Sequence, residues 1–178
     1  LFSGSVYGQE EVKKEYYDNG KLSHEHHFNK ETGEHRHIYW YDNGQKRNEY
    51  HWKNGGKDGL DTEWNIFGVK LSETHYKNGK IDGRETWWRS NGIKSYETHY
   101  KNGVPEGVSS SWYKSGQKSL EVYYKDGKKE GLVTEWYENG KKRYTKHFKN
   151  GKENGIRKEW NKDGKKTFQG NFVDGNEE

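Results

Sequence analysis

The sequence lacks cysteine and methionine, has a single proline, and contains few aliphatic residues. Without cysteine there are no disulfide bonds and no thiolate metal sites. No stretch approaches the ~18 consecutive apolar residues of a membrane-spanning helix. Hydrophobic residues are only 26% of the chain, and aromatic residues alone are 16%. Disordered chains are poor in aromatic residues as well, so this composition favours an ordered structure built on aromatic side chains.

An excess of charge of one sign is also missing. The chain has 32 basic and 28 acidic residues, a net charge of +4, and both signs occur in nearly every part of it. Nucleic-acid-binding proteins gather basic residues on one stripe, so this mixing predicts a solvated surface and no nucleic-acid partner. The same balance argues against association with acidic membranes.

Three columns of residues recur every 24 positions, over seven units and without an insertion. The first column is aromatic: Tyr16, Trp40, Trp64, Trp88, Trp112, Trp136 and Trp160. The second is also aromatic: Phe28, Trp52, Tyr76, Tyr100, Tyr124, Phe148 and Phe172. The third is glycine: Gly20, Gly44, Gly68, Gly92, Gly116, Gly140 and Gly164. A fixed period of this length is typical of a repeat array that grows along one axis.

Each unit contains two short runs rich in β-branched and aromatic residues, with a turn signal between them. In the unit that begins at Gly131 the signal is Asn139-Gly140, a pair that tolerates the positive φ angles of a tight hairpin turn. A second pair of glycines, such as Gly79 and Gly83, marks the return connection to the next unit.

These signals predict an all-β fold, a single elongated antiparallel meander sheet of consecutive β-hairpins with about 14 strands. The predicted organisation is an N-terminal extension over residues 1–11, seven repeats over residues 12–175, and a C-terminal tail over residues 176–178. The chain begins Leu1-Phe2-Ser3 without methionine, which indicates a processed or trimmed product and is compatible with removal of a signal peptide.

The alternation of side chains along a strand predicts which residues share a face. Trp136 shares its face with Leu132 and Thr134, and Tyr144 shares its face with Phe148 on the following strand. We expect both aromatic columns on one face, as an interleaved ladder that forms the core, and a polar Glu/His face opposite. Trp112→Ala is then expected to cost roughly 3–5 kcal/mol of stability.

Histidines form a further column: His27, His51, His75, His99 and His147. Two strands at about 4.8 Å each would separate equivalent histidines by roughly 10 Å, too far for ligand bonds of about 2 Å to one shared metal ion. The irregular first unit adds His24, His26, His35 and His37, the one place where chelation is geometrically conceivable. A polar cap is the favoured interpretation there, so we expect no metal site and no cofactor.

Trp87 departs from the pattern, because its counterparts in other repeats include Glu63 and Glu135. We expect it on the polar face without an apolar partner, which is a modest sign of an interaction surface. Exposed aromatic anchors supply much of the energy at interfaces. The predicted binding residues are Trp64, Tyr76, Trp87, Trp88, Tyr100 and Trp112. No candidate nucleophile or carboxylate pair stands apart from the repeating pattern, so no enzymatic activity is expected.

The unit Gly-x-x-x-Glu-Trp-Tyr-x-Asn-Gly-x-Lys, followed by Phe148-Lys149-Asn150-Gly151, resembles the MORN repeat in its bacterial variant form over about residues 12–175. The resemblance implies consecutive hairpins without a catalytic motif. Relatives are exported bacterial repeat proteins and antitoxins. The expected function is therefore a non-enzymatic protein-binding or scaffold surface, secreted, periplasmic or at the cell surface. The alternative is a cytoplasmic antitoxin or immunity partner that neutralises a toxin by direct binding. Self-association is a further open alternative.

Overall fold

The computed structural model describes residues 10–178, which contain β-strands and no helix. The strands are β1 (Glu10–Tyr16), β2 (Leu22–Asn29), β3 (Glu34–Trp40), β4 (Lys46–Lys53), β5 (Gly56–Lys57), β6 (Gly59–Trp64), β7 (Lys70–Lys77), β8 (Lys80–Trp88), β9 (Lys94–Lys101), β10 (Val104–Trp112), β11 (Lys118–Lys125), β12 (Lys128–Lys129), β13 (Gly131–Trp136), β14 (Lys142–Lys149), β15 (Lys152–Glu153), β16 (Gly155–Trp160), β17 (Lys166–Val173) and β18 (Asn176–Glu177). This confirms the prediction of an all-β chain of consecutive antiparallel hairpins. Residues 1–9 of the predicted N-terminal extension lie outside the described part of the chain.

The strand number exceeds the predicted 14 because four two-residue strands, β5, β12, β15 and β18, form separately after the return turns. The chain divides into two compact units at Ile81/Asp82, inside β8. In the first unit the antiparallel pairs are β1–β2, β2–β3, β3–β4, β4–β6 and β6–β7. In the second they run from β8–β9 to β17–β18 in the same consecutive manner. No helix long and apolar enough to cross a bilayer occurs in residues 10–178.

Two kinds of turn join the strands, and they use glycine differently. In the hairpin turn, Tyr41 donates its amide to Gln45 and its carbonyl accepts the Gly44 amide, at 2.8 and 2.9 Å. Only Gly44, with φ 89°, is left-handed there. In the return turn both Asn78 and Gly79 are left-handed, with φ 50° and 77°. The hairpin turn thus requires only its glycine, and Phe67-Gly68 and Ser115-Gly116 form the same turn as Asn-Gly.

A β-bulge follows each hairpin turn and decides which side chains share a face. In the β6–β7 hairpin Glu63 pairs with Ser72, but Trp64 pairs with Lys70, so Leu71 is an extra residue on one strand. Residues that pair directly lie on the same face, and one extra residue moves every later side chain to the other face. The same shift occurs beside Tyr16, Trp40, Trp88, Trp112, Trp136 and Trp160.

The predicted ladder of both aromatic columns on one face is therefore wrong. Trp64 lies with Thr62 and with Glu73, the partner of Thr62. Tyr76 lies on the opposite face, with Thr74 and its partner Asp61. Without the bulge, the hairpin register would have put Trp64 and Tyr76 on one face, as the alternation predicted. In each unit we call the two faces the Trp face and the Tyr face.

The most buried side chains are small ones, on both faces. On the Tyr face they include Thr98, Val122 and Val133, each only 2% exposed. On the Trp face they include hydroxyl residues at one repeating position: Thr62, Thr86, Ser110 and Thr134. Of the two aromatic columns only Phe172 is buried, and most of the other members are half-buried. The prediction that the aromatic columns form the core holds for Phe172 alone, because the large rings keep an edge in water.

A repeated hydrogen bond joins neighbouring hairpins at the turn edge. In four repeats a tyrosine follows the residue of the first aromatic column, and its phenol donates to the backbone carbonyl of the next residue of that column, 23 positions on. The bonds are Tyr17 to Trp40 at 2.6 Å, Tyr41 to Trp64 at 3.0 Å, Tyr113 to Trp136 at 2.7 Å and Tyr137 to Trp160 at 2.9 Å. Arg89 replaces the tyrosine and donates to the Trp112 carbonyl at 2.8 Å. This bond fixes the spacing between consecutive repeats.

Candidate protein-binding surface

The six predicted binding residues do not form one surface. Trp64 lies on the Trp face of the first unit and Tyr76 on its Tyr face. In the second unit, Trp88 and Trp112 lie on the Trp face, whereas Trp87 and Tyr100 lie on the Tyr face.

Trp87 is exposed, at 42%, but its surroundings differ from the expectation. It pairs directly with Tyr96 on the Tyr face. The prediction that Trp87 lies on the polar face without an apolar partner is wrong, for the same reason as the ladder. The bulge after the turn brings Tyr96, and not a Glu/His residue, opposite Trp87.

An exposed apolar column on the Trp face of the second unit was missed by the sequence reasoning. Its members are Val108, Leu132 and Ile156, one repeat apart and 45%, 46% and 45% exposed. Tyr123, 42% exposed, pairs directly with Val108 and extends the column sideways. We call these four residues the apolar column. The signal was present, because each aliphatic member directly follows the second glycine of a return connection, but the expected ladder placed Leu132 in the core.

Repeating histidines bond the backbone next to the second glycine of the return connection, in both units. Nδ1 of His147 lies 2.9 Å from the carbonyl oxygen of Ile156, and Nδ1 of His51 lies 2.6 Å from that of Leu60. A carbonyl oxygen only accepts hydrogen bonds, so Nδ1 is the donor in each case. His99 has the same partner position at Val108, at a longer 3.4 Å. These histidines therefore connect successive strands across the return connection.

The Trp face of the second unit is positively charged, although the whole chain is nearly balanced. Only two carboxylates, Glu97 and Glu121, lie among its directly paired residues, and both are in ion pairs, with Lys94 at 2.7 Å and Lys118 at 2.5 Å. Within the hairpins the cationic residues of these pairs are Arg84, Lys94, Lys118, Lys142, Lys158 and Lys166. Lys94 also lies 5.2 Å from the ring centroid of Trp112, within cation–π range.

The Tyr face of the second unit contains half-buried tyrosines. Burial, with help from Glu135, raises the pKa of Tyr144 to about 12. Burial and the neighbouring Tyr96 raise the pKa of Tyr100 above its usual range. Charges on this face include both signs, for example Glu135 with Arg143 at 2.5 Å. The Trp face is thus the one that combines exposed apolar side chains with an excess of one charge.

Among residues 10–178, three histidines of the first unit are placed to hold a metal ion. Ring nitrogens of His26, His35 and His37 lie within 4.8 Å of one another. All three side chains are half-buried. They belong to the Tyr face, since His26 pairs directly with His37 and Phe28 with His35.

Comparison with protein families agrees with the hairpin repeats. Four segments, residues 12–30, 81–102, 105–126 and 129–150, match the MORN repeat variant. Comparison with curated proteins gave no match. MORN repeats are generally associated with protein and membrane binding, and the family is non-catalytic. The chain carries repeats of the MORN repeat variant family.

Proposed function

We propose that this chain is a non-enzymatic repeat protein that binds a partner protein through the Trp face of residues 82–178. The partner surface is acidic and contributes apolar side chains. The observation that carries this proposal is the apolar column, whose three aliphatic members recur at one-repeat spacing while remaining nearly half exposed. A linear patch of this kind matches a partner that lies along several hairpins.

Charge complementarity supports an acidic partner. The six Lys or Arg residues share the Trp face with the apolar column. Two of them, Lys94 and Lys118, pair with the two carboxylates, and the other four leave an excess of positive charge. Such an arrangement attracts an acidic protein and accelerates association at low salt. Exposed apolar and aromatic side chains then supply affinity once the surfaces meet.

The non-enzymatic part of the proposal is supported by the repetition of the surface. His51 and His147 use Nδ1 to bond a backbone carbonyl. Glu73, Glu97 and Glu121 of the Trp face are paired with lysines. These groups thus serve strand contacts that recur in several repeats. A catalytic site requires a particular local arrangement of acid, base or nucleophile.

We also propose that the chain acts outside the cytoplasm as a scaffold, in the manner of the exported repeat proteins it resembles. The test is fractionation of a native host, with the chain detected in the periplasmic, surface or secreted fraction. Recovery in the cytoplasm, together with protection of the host from a toxin encoded beside it, would instead favour the antitoxin alternative.

The binding proposal is tested by capture from host extract on the immobilised chain, followed by affinity measurement with the captured protein. Replacing Val108, Leu132 and Ile156 together by Ser is expected to weaken binding at least tenfold, a loss of about 1.4 kcal/mol. Exposed substitutions of this kind leave the fold intact. The matched control is Phe67→Ser, which removes an apolar side chain that is 84% exposed but lies in a hairpin turn of the first unit.

Charge-reversal variants test the electrostatic contribution to binding. Lys142→Glu with Lys166→Glu is expected to slow association and to reduce its salt dependence, whereas Lys21→Glu, in an exposed turn of the first unit, leaves both unchanged. Trp87→Ala probes the Tyr face. If Trp87→Ala abolishes capture while the triple variant binds normally, the contact lies on the Tyr face and the proposal is wrong. Binding to anionic vesicles in place of any protein would contradict it as well.

A further inference from the structure

Four histidines lie together on one face of two neighbouring strands in the first unit. His24 and His26 are on β2, and His35 and His37 are on the antiparallel β3. His26 pairs directly with His37. Their rings stack with neighbouring aromatic rings in the order Tyr39, His24, His37, His26, His35, Phe28, with successive centroids 4.3, 5.4, 4.3, 5.1 and 4.5 Å apart.

The group arises from a local break in the repeat. In later repeats the position of His35 is glycine, as in Gly59, and the position of His26 is never histidine, as in Tyr50 and Thr74. The return connection of the first unit is also different, with a turn in which the Gly33 amide donates to the Asn29 carbonyl at 2.9 Å. As a result β2 and β3 pair without interruption from Asn29/Glu34 to His24/Tyr39. This continuous pairing places the two His-x-His segments side by side.

The ring nitrogens are close enough to converge on one ion. Nε2 of His26 lies 2.8 Å from Nδ1 of His35, and one nitrogen from each of His26, His35 and His37 lies within 4.8 Å of the others. Two nitrogens bound tetrahedrally to zinc at about 2.0–2.1 Å are separated by roughly 3.3 Å. Small rotations of the three rings out of the stack bring nitrogens that now lie within 4.8 Å of one another to this separation. Two histidines from one strand and one from its neighbour thus provide a three-nitrogen site.

Polar and aromatic groups of the neighbouring strands face these histidines. On β1, Lys13 pairs opposite His26, and Glu15 lies 3.5 Å from Nδ1 of His24. On β4, Tyr50 pairs with His37 and Trp52 with His35.

We propose that His26, His35 and His37 bind one divalent transition-metal ion, with Zn²⁺ as the natural occupant and a coordination position left for water or a partner side chain. Imidazole nitrogens suit Zn²⁺, Cu²⁺ and Ni²⁺, and not the oxygen-seeking Mg²⁺ or Ca²⁺. His24 is a positioning residue. Its Nε2 lies 3.1 Å from Nδ1 of His37, and Glu15 orients its other nitrogen, as outer partners do at metal sites. This site is independent of the binding surface proposed for residues 82–178.

The test is titration of the full chain with Zn²⁺ by isothermal calorimetry, beside equilibrium dialysis to count bound ions. We expect one ion per chain, at least tenfold weaker binding in His35→Gln and in His37→Gln, and unchanged binding in His99→Gln, a repeating histidine on the second unit. Mg²⁺ should give no binding. Absence of Zn²⁺ binding, or equal binding in all three variants, would overturn the proposal.

A second measurement uses the unaltered protein and does not depend on the variants folding. Diethyl pyrocarbonate modifies accessible imidazole nitrogens, and peptide mass spectrometry locates the modified residues. Zn²⁺ should protect His26, His35 and His37 while His99 reacts as before. Protection that is equal at all histidines, or absent at these three, would show that the group is only a stacked polar cap.

Discussion

Tyr144 shows how a single residue reports on the packing of the Tyr face. It pairs directly with Glu135 across β13 and β14, and burial with this glutamate raises its pKa to about 12. In the unfolded chain the phenol ionises near ~10. The native state therefore holds its proton to higher pH than the unfolded state. The resulting stability is fully present below about pH 10 and is lost as the pH rises towards about 12.

We predict that Tyr144→Phe removes part of the alkaline loss of stability. The free energy of unfolding, measured by urea titration at several values between about pH 8 and about pH 11, should fall less steeply with pH in the variant than in the parent. Tyr123→Phe, which alters an exposed tyrosine of the Trp face, is the control and should keep the parental slope. An identical slope in parent and Tyr144→Phe would show that this phenol is not the group responsible.

At the residue scale the sequence predicted the positions of repeating residues but not the roles of several of them. The histidine column was expected to be a solvated face. The structure gives His51 and His147 backbone carbonyl partners nine residues on. The tyrosines after the Trp column bond a carbonyl 23 residues away. Neither partner follows from composition or alternation, since both depend on how far one hairpin is shifted along the next.

At the element scale the hairpin turn and the return turn differ in what they demand of the residue before glycine. The structure predicts that Ser115→Ala leaves stability almost unchanged, because only Gly116, with φ 87°, is left-handed there. Gly116→Ala should cost about 1–2 kcal/mol, the usual penalty for a left-handed side chain. A Cβ at Gly116 would meet Ile93 at 3.8 Å, an ordinary contact, so the loss is conformational. Thermal unfolding of both variants measures the difference, and equal melting temperatures would contradict this account of the turn.

The hairpin turn and the β-bulge that follows it explain why the hairpins could be predicted from the sequence and the faces of their strands could not. The Asn-Gly signal and the glycine column are local features with a constant period, so the turns were located from their own residues. The bulge beside Trp64 depends on the register between two strands, with Leu71 unpaired. One unpaired residue reverses the face of every side chain that follows. This one feature made three predictions wrong: the ladder of Trp and Tyr, the surroundings of Trp87 and the assignment of Leu132 to the core.

At the scale of the whole molecule, the overall composition does not show how the charged residues are divided between the two faces. A net charge of +4 looks well mixed along the chain, yet alternation assigns the lysines of the second unit's hairpins mainly to the Trp face. The histidine group of the first unit was located from sequence because it interrupts the repeat. Its stacked arrangement could not be predicted, since it requires the continuous β2–β3 register.

Because each repeat contacts mainly its neighbours, the chain should tolerate removal of one whole repeat. Deleting residues 131–154 joins Glu130 to Gly155, so that Gly155 takes the place of Gly131 and Trp160 that of Trp136. The Tyr113 phenol then meets the Trp160 carbonyl in place of the Trp136 carbonyl. We predict a folded protein with roughly one seventh less β-sheet signal by circular dichroism and a lower melting temperature, because one interface between neighbours is lost.

The matched control removes half a repeat. Deleting residues 131–142 eliminates β13 together with the turn glycine Gly140, so β14 would have to occupy the place of β13 and every later strand would run in the opposite direction. Its side chains would then meet neighbours from the wrong column, and residues 143–178 should lose cooperative unfolding and become sensitive to protease. If both deletions behave alike, stability does not depend on the 24-residue unit.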